Sequence, residues 1–178
     1  MDTAAGRIAL WPKVVRGVKA PVISLDGAWK FSMTPGEEPF RNEVDFTGWS
    51  DAQVPGELAL QGFDIEADKP CGYKRRFTVP DDYRGNAVFL RFEGVQSHAR
   101  VWVNGEAVGR HGAPATIWDC DITRTVVPGA EAVLTVLIED REDDPAILSR
   151  YARHQTGGIL RSVTLLARPT VHLSRLHV

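Results

Sequence analysis

The chain has 178 residues, with 43% apolar and 25% charged side chains, a formal net charge of −2 and two cysteines. That length corresponds to one ordinary domain or a large sandwich, able to bury a real core. The composition excludes a disordered or fibrous chain, the near-neutral charge argues against a partner bound through nucleic-acid phosphates, and no apolar run approaches the ~20 residues of a membrane-spanning helix.

Residues 1–21 form an arm without a clear pattern, and they lack the long apolar segment of a secretory signal. A cytoplasmic location is expected, the alternative being an exported protein whose signal has been removed. From residue 22 the dominant hydrophobic period is two, the signature of strands rather than helices. Strands are predicted over residues 22–33 and 73–79. Lys74-Arg75-Arg76 opens the second of these and reads as a solvated strand edge, since neighbours in a strand point to opposite faces. In NAVFLRFEG, Val88, Leu90 and Phe92 alternate with Phe89, Arg91 and Glu93. In ARVWVNG, Val101 and Val103 share a face, and Asn104-Gly105 is the preferred two-residue hairpin pair, tying 99–103 to 106–110. A strand over 116–122 follows. AVLTVLIED is apolar on both faces, which places it centrally in its sheet. Strands over 161–167 and 171–178 complete the pattern, with Arg168-Pro169 between them. Many short strands separated by turns indicate an all-β antiparallel sandwich.

Several stretches taken together, SLDGAWKF, WSDAQVPGE, GYKRRFTVP, VFLRFEGVQSHARVWVNGEAVGRH and GGILRSVTLLARP, occur in an order that resembles the N-terminal sugar-binding domain of glycoside hydrolase family 2. The family includes β-galactosidases, β-glucuronidases and β-mannosidases. The resemblance implies a jelly-roll β-sandwich of the galactose-binding-like kind over residues 22–168, with 169–178 as a linker strand toward an immunoglobulin-like domain. It also implies a (β/α)8 barrel beyond that, carrying two catalytic glutamates about 5 Å apart for a retaining mechanism. The sandwich itself is then non-catalytic, part of a longer enzyme that hydrolyses terminal β-glycosides. Its expected partners are a carbohydrate and the remaining domains of that enzyme, with no nucleic acid and no membrane. A free-standing carbohydrate-binding module and a purely structural sandwich are the alternatives.

The loop before the GGI strand, SRYARHQT, crowds large hydrogen-bonding side chains where a loop ordinarily carries small ones. In members of the family this loop reaches the barrel and supplies a sugar-contacting aspartate. Its place here is taken by Ala152, so that role does not carry over. Arg150, Tyr151, Arg153, His154 and Gln155 remain as candidates for a sugar rim. Arginine offers a rigid donor fork, histidine and glutamine both donate and accept, and tyrosine offers a flat face with a polar tip. The competing reading has these residues packing an interface with the next domain. Asp64, in GFDIEADK, is a further candidate acceptor for sugar hydroxyls, or part of an acidic surface loop.

Trp102 and Trp118 are read either as core or as sugar-stacking platforms, and Trp29 as core. Asn42-Glu43 mimics the asparagine–glutamate pair of the family's acid/base but lies in an early loop, outside any barrel strand. No cofactor or metal is expected, because the five histidines and two cysteines show no ligand spacing. Cys71 and Cys120 are either two buried thiols or one disulfide.

Overall fold

Alternation along the strands decides which side chains meet. Val88, Leu90 and Phe92 from one layer and Val101, Val103, Leu134, Val136 and Ile138 from the other are all buried in a single cluster with Trp29, Phe31 and Tyr73. The computed structural model describes residues 12–66, 69–96, 98–139 and 157–172. Its strands are β1 (Val22–Ser24), β2 (Gly27–Ser32), β3 (Ser50–Val54), β4 (Cys71–Thr78), β5 (Ala87–Phe92), β6 (Val95–Gln96), β7 (His98–Val103), β8 (Glu106–His111), β9 (Trp118–Asp121), β10 (Glu131–Glu139), β11 (Gly158–Ile159) and β12 (Val163–Arg168). A six-stranded sheet in the order β3-β2-β4-β10-β7-β8 faces a four-stranded sheet in the order β1-β12-β5-β9, and β11 and β6 form a short ribbon. Every pairing is antiparallel, giving the expected jelly-roll sandwich.

Two expectations are met in detail. β10 lies between β4 and β7, as a strand apolar on both faces requires. Asn104 and Gly105 take φ of 50° and 83°, the positive pair of a tight hairpin turn. The Asn104 side chain then donates to Thr125 O (2.9 Å) and accepts from Val133 N (2.9 Å), fastening the turn to β10 and the loop before it.

Other expectations are corrected. The run 22–33 is two strands in different sheets, because the chain crosses between layers at Leu25-Asp26. Leu25 N donates to Val163 O (2.8 Å), and the Asp26 carboxylate accepts from Val163 N (3.0 Å), so this crossing is clasped to β12. The basic run is not a solvated edge: β4 sits inside the sheet, and Lys74 is 0% exposed. The cause is the connection 34–49, which straps the outer face of the six-stranded sheet. Phe40 stacks on Trp102, Asn42 Nδ2 donates to Asn104 O (3.0 Å), Lys74 Nζ donates to Arg41 O (3.1 Å) and Lys30 Nζ to Trp49 O (3.3 Å). Asn42 of the Asn-Glu pair thus holds the strap. Cys71 and Cys120 are both buried thiols, and neither forms a disulfide.

Trp29 is core, 1% exposed, with Nε1 donating to Leu25 O at 2.7 Å. The described part of the N-terminal arm packs on the sandwich: Val15 is buried, and Tyr83 Oη donates to Ala20 O at 2.8 Å. Val171 and His172 carry no strand, and the rest of the strand predicted over 171–178 lies outside the described residues.

Candidate functional site

The site is built around the ribbon that closes one side of the sandwich. The chain leaving β3 runs beside β11, with Gly56 N donating to Ile159 O (2.9 Å) and Leu58 N to Gly157 O (3.0 Å). Three residues further on, the Gln61 amide acts as a substitute strand. It accepts from Gln53 N (2.6 Å) and donates to the carbonyls of Gln53 (3.2 Å) and Glu57 (3.3 Å). The Glu57 carboxylate accepts from Ala59 N and Leu60 N, both at 3.2 Å, and so caps the 3-10 turn Ala59–Gln61. Phe63 then packs on Phe31, ring centroids 4.6 Å apart, and Ile65 reaches Gly157. With both neighbours anchored, Asp64 is held in place while its carboxylate is exposed.

Gly158 fixes the other half of the ribbon. Its φ is +119°, and a Cβ there would lie 2.9 Å from Gly56 O and 3.0 Å from the Tyr73 hydroxyl. Only glycine combines that backbone with so close an approach. The segment 140–156 joins Glu139, the end of β10, to Gly157, which lies beside the Asp64 loop. Arg150, Tyr151, Arg153, His154 and Gln155 lie within that segment, outside the described residues.

Next to the ribbon, a cavity of about 460 Å3 is lined by His98, Arg100, Arg110, His111, Gly112 and Glu139, among others. The loop after β8, which supplies Gly112 and Ala113 to the lining, is tied to β6 by Ala115 N donating to Val95 O (3.0 Å). His111 Nε2 is 2.6 Å from Thr116 Oγ1, and that hydroxyl donates to Ala113 O at 2.9 Å, so the ring nitrogen is the donor to Thr116. Burial holds the His111 imidazole below its ordinary pKa, partly opposed by the Ala113 backbone. His111 stacks on Trp118 (4.8 Å, 9°), which also stacks on Phe92 (4.6 Å, 13°). Trp118 is thus engaged with protein rings. Trp102 is neither core nor an open platform: it is half-buried on the outer face, with Phe40 stacked on it. Among the described residues no group of three or more histidine, cysteine or acidic side chains can hold a metal ion, and no helix is long and apolar enough to cross a membrane.

Sequence reasoning named Asp64 as a candidate and missed the cavity and the Gln61 surrogate strand. Period two does put His98 and Arg100 on one face. The approach of Arg110 and Glu139 to that face depends on pairing register, which alternation alone does not supply.

The profile described as "Glycosyl hydrolases family 2, sugar binding domain" matches residues 22–169. The chain belongs to this family. Among its curated relatives, a β-galactosidase of Halalkalibacterium halodurans is 30% identical over 183 residues, covering 87% of this chain and 18% of that protein. A β-galactosidase large subunit of Leuconostoc lactis is 26% identical, covering 87% of this chain and 31% of the subunit. Among solved structures, a Lactobacillus rhamnosus β-glucuronidase superposes with a TM-score of 0.69 at 28% identity, over 84% of this chain and 29% of that one. A family 2 member from Bacteroides cellulosilyticus, at 22% identity and a TM-score of 0.69, shows the shared fold. The chain thus spans less than a fifth of the length of the first β-galactosidases it matches. It is the sugar-binding domain of the family 2 architecture.

Proposed function

We propose that this domain is the non-catalytic part of a longer retaining glycosidase that removes terminal β-linked sugars, β-galactosidase-like, and that it walls one side of the sugar pocket. The observation that carries this reading is the bond from Leu58 N to Gly157 O (3.0 Å), which joins the loop presenting Asp64 to the root of the segment 140–156. Arg150 to Gln155 precede Gly157 by seven to two residues. At no more than ~3.3–3.6 Å per residue they are tethered closely enough to Gly157 for this reading to bring their side chains to the space around Asp64. There the arginine forks and His154 and Gln155 would bond sugar hydroxyls, Tyr151 would offer its face to the pyranose, and Asp64 would accept from hydroxyls.

Bond cleavage in this reading belongs to a barrel whose two carboxyls stand about 5 Å apart. The partners are a carbohydrate and the remaining domains of the enzyme. Cys71 and Cys120, both buried thiols outside any disulfide, fit a reducing, cytoplasmic setting. The test uses the longer enzyme and a neutral aryl β-galactoside. Asp64→Asn and His154→Ala should each lower kcat/KM about tenfold, or about 1.4 kcal/mol, at unchanged melting temperature. Unaltered kinetics in both variants would overturn the pocket-wall reading. Hydrolysis by the purified 178-residue chain would overturn its non-catalytic part.

A further inference from the structure

We infer that the cavity between β7, β8 and the end of β10 is a subsite for a carboxylate-bearing sugar, a uronide, held by Arg100 and Arg110. The inference rests on the pocket-wall reading in naming a sugar, and it adds the class of sugar.

The hairpin pairs Val103 with Glu106 and Trp102 with Ala107, but a bulge shifts the next pairs to Val101 with Gly109 and Arg100 with Arg110. The extra residue, Val108, therefore brings two arginines directly opposite one another. Like charges so placed destabilise a strand pair, and among the described residues neither arginine makes an ion pair. Arg100 is propped by Trp102, with Cζ 5.7 Å from the ring. Two guanidinium forks at the wall of one cavity suit a planar carboxylate, which accepts parallel bonds from each fork. The volume, about 460 Å3, lies within the ordinary range of small-molecule sites. His98 and Glu139 add groups that donate to or accept from hydroxyls. Glu139 sets one negative charge against the two arginines on this wall, and a uronide would supply the second while a neutral sugar would not.

The test titrates the chain itself at low salt, by calorimetry or NMR, with D-glucuronate and D-galacturonate, with D-galactose, and with acetate and inorganic phosphate. A uronate should bind in the millimolar range, at least tenfold more tightly than galactose or acetate, and Arg100→Gln or Arg110→Gln should weaken it at least tenfold. Both side chains are exposed, so the variants should keep the wild-type melting temperature without ligand. Acetate or phosphate matching the uronates would reduce the cavity to a bare anion site and overturn the inference. So would uronate affinity unchanged in both variants. The pocket-wall reading is tested by turnover of a neutral galactoside, in which uronate affinity plays no part, so the two fail independently.

Discussion

Phe40 of the strap lies flat against Trp102 of β7, ring centroids 5.1 Å apart and planes 12° from parallel. Through this contact a loop on the outer face of the sheet supports the tryptophan over which Arg100 sits. Phe40→Ala should cost about 1–2 kcal/mol, combining lost apolar burial with the aromatic pair. It should also red-shift tryptophan emission. Denaturant unfolding with fluorescence detection checks both, and an unchanged midpoint would mean the strap does not depend on this stack.

Asp119 bridges two arginines on the outer side of the four-stranded sheet. Arg91 Nε donates to Oδ1 (2.7 Å) and Nη2 to Oδ2 (3.0 Å), and Arg168 Nη2 donates to Oδ2 (2.6 Å). Burial pushes the carboxyl pKa up, but the bonds and charges of Arg91 and Arg168 outweigh it and hold the group below its ordinary value of 3.8. A depressed folded-state pKa contributes stability that is complete above the unfolded value and is lost as pH falls through the folded one. Asp119→Asn should therefore cost about 2–3 kcal/mol at neutral pH, where two largely buried guanidinium groups lose their counter-charge. The difference from wild type should shrink below pH 3.8. Acid titration of the unfolding midpoint in both proteins measures it.

His111 acts in the same sense but in a higher pH range. Its imidazole is held below the ordinary value of 6.5, chiefly by burial against Trp118. The unfolded chain therefore takes up the proton first, and stability that is complete above pH 6.5 declines as pH falls from there toward the folded-state value. His111→Gln should remove this part of the pH dependence. Parallel slopes for the two proteins between neutral and mildly acidic pH would contradict it.

The two glycines of the ribbon should respond very differently to alanine. At Gly158 the new Cβ meets backbone, Gly56 O at 2.9 Å, on a φ of +119°. At Gly157 it meets only the tip of a side chain, Ile65 Cδ1 at 2.7 Å. Gly158→Ala should cost about 2–3 kcal/mol or more through strain, and Gly157→Ala distinctly less. Thermal unfolding of the pair gives the ordering, and equal losses would mean that Gly158 is not specially constrained.

Strands with strong alternation, such as β5, β7 and β10, were legible because one face of each is apolar and the core takes that face. β3 was not, because SDAQV offers only Ala52 and Val54 to the interior. The break at Leu25-Asp26 was hidden for another reason: a chain that changes sheets can keep its alternation while its partners change. Asp64 was legible as an acidic loop residue. The opposed arginines were not, since an Asn-Gly turn with regular pairing sets Arg100 against Gly109, and the bulge that corrects this leaves no mark of its own in the sequence.

The clasp between Asp26 and Val163 joins residues 137 positions apart. During synthesis β1 leaves the ribosome long before β12 exists to receive it, so the four-stranded sheet can close only after nearly the whole domain has emerged. Until then the apolar faces of β5 and β10 lack their full cover. Folding should accordingly be slow and dominated by distant pairings, and the nascent chain should be most prone to aggregate in the interval before β12 arrives.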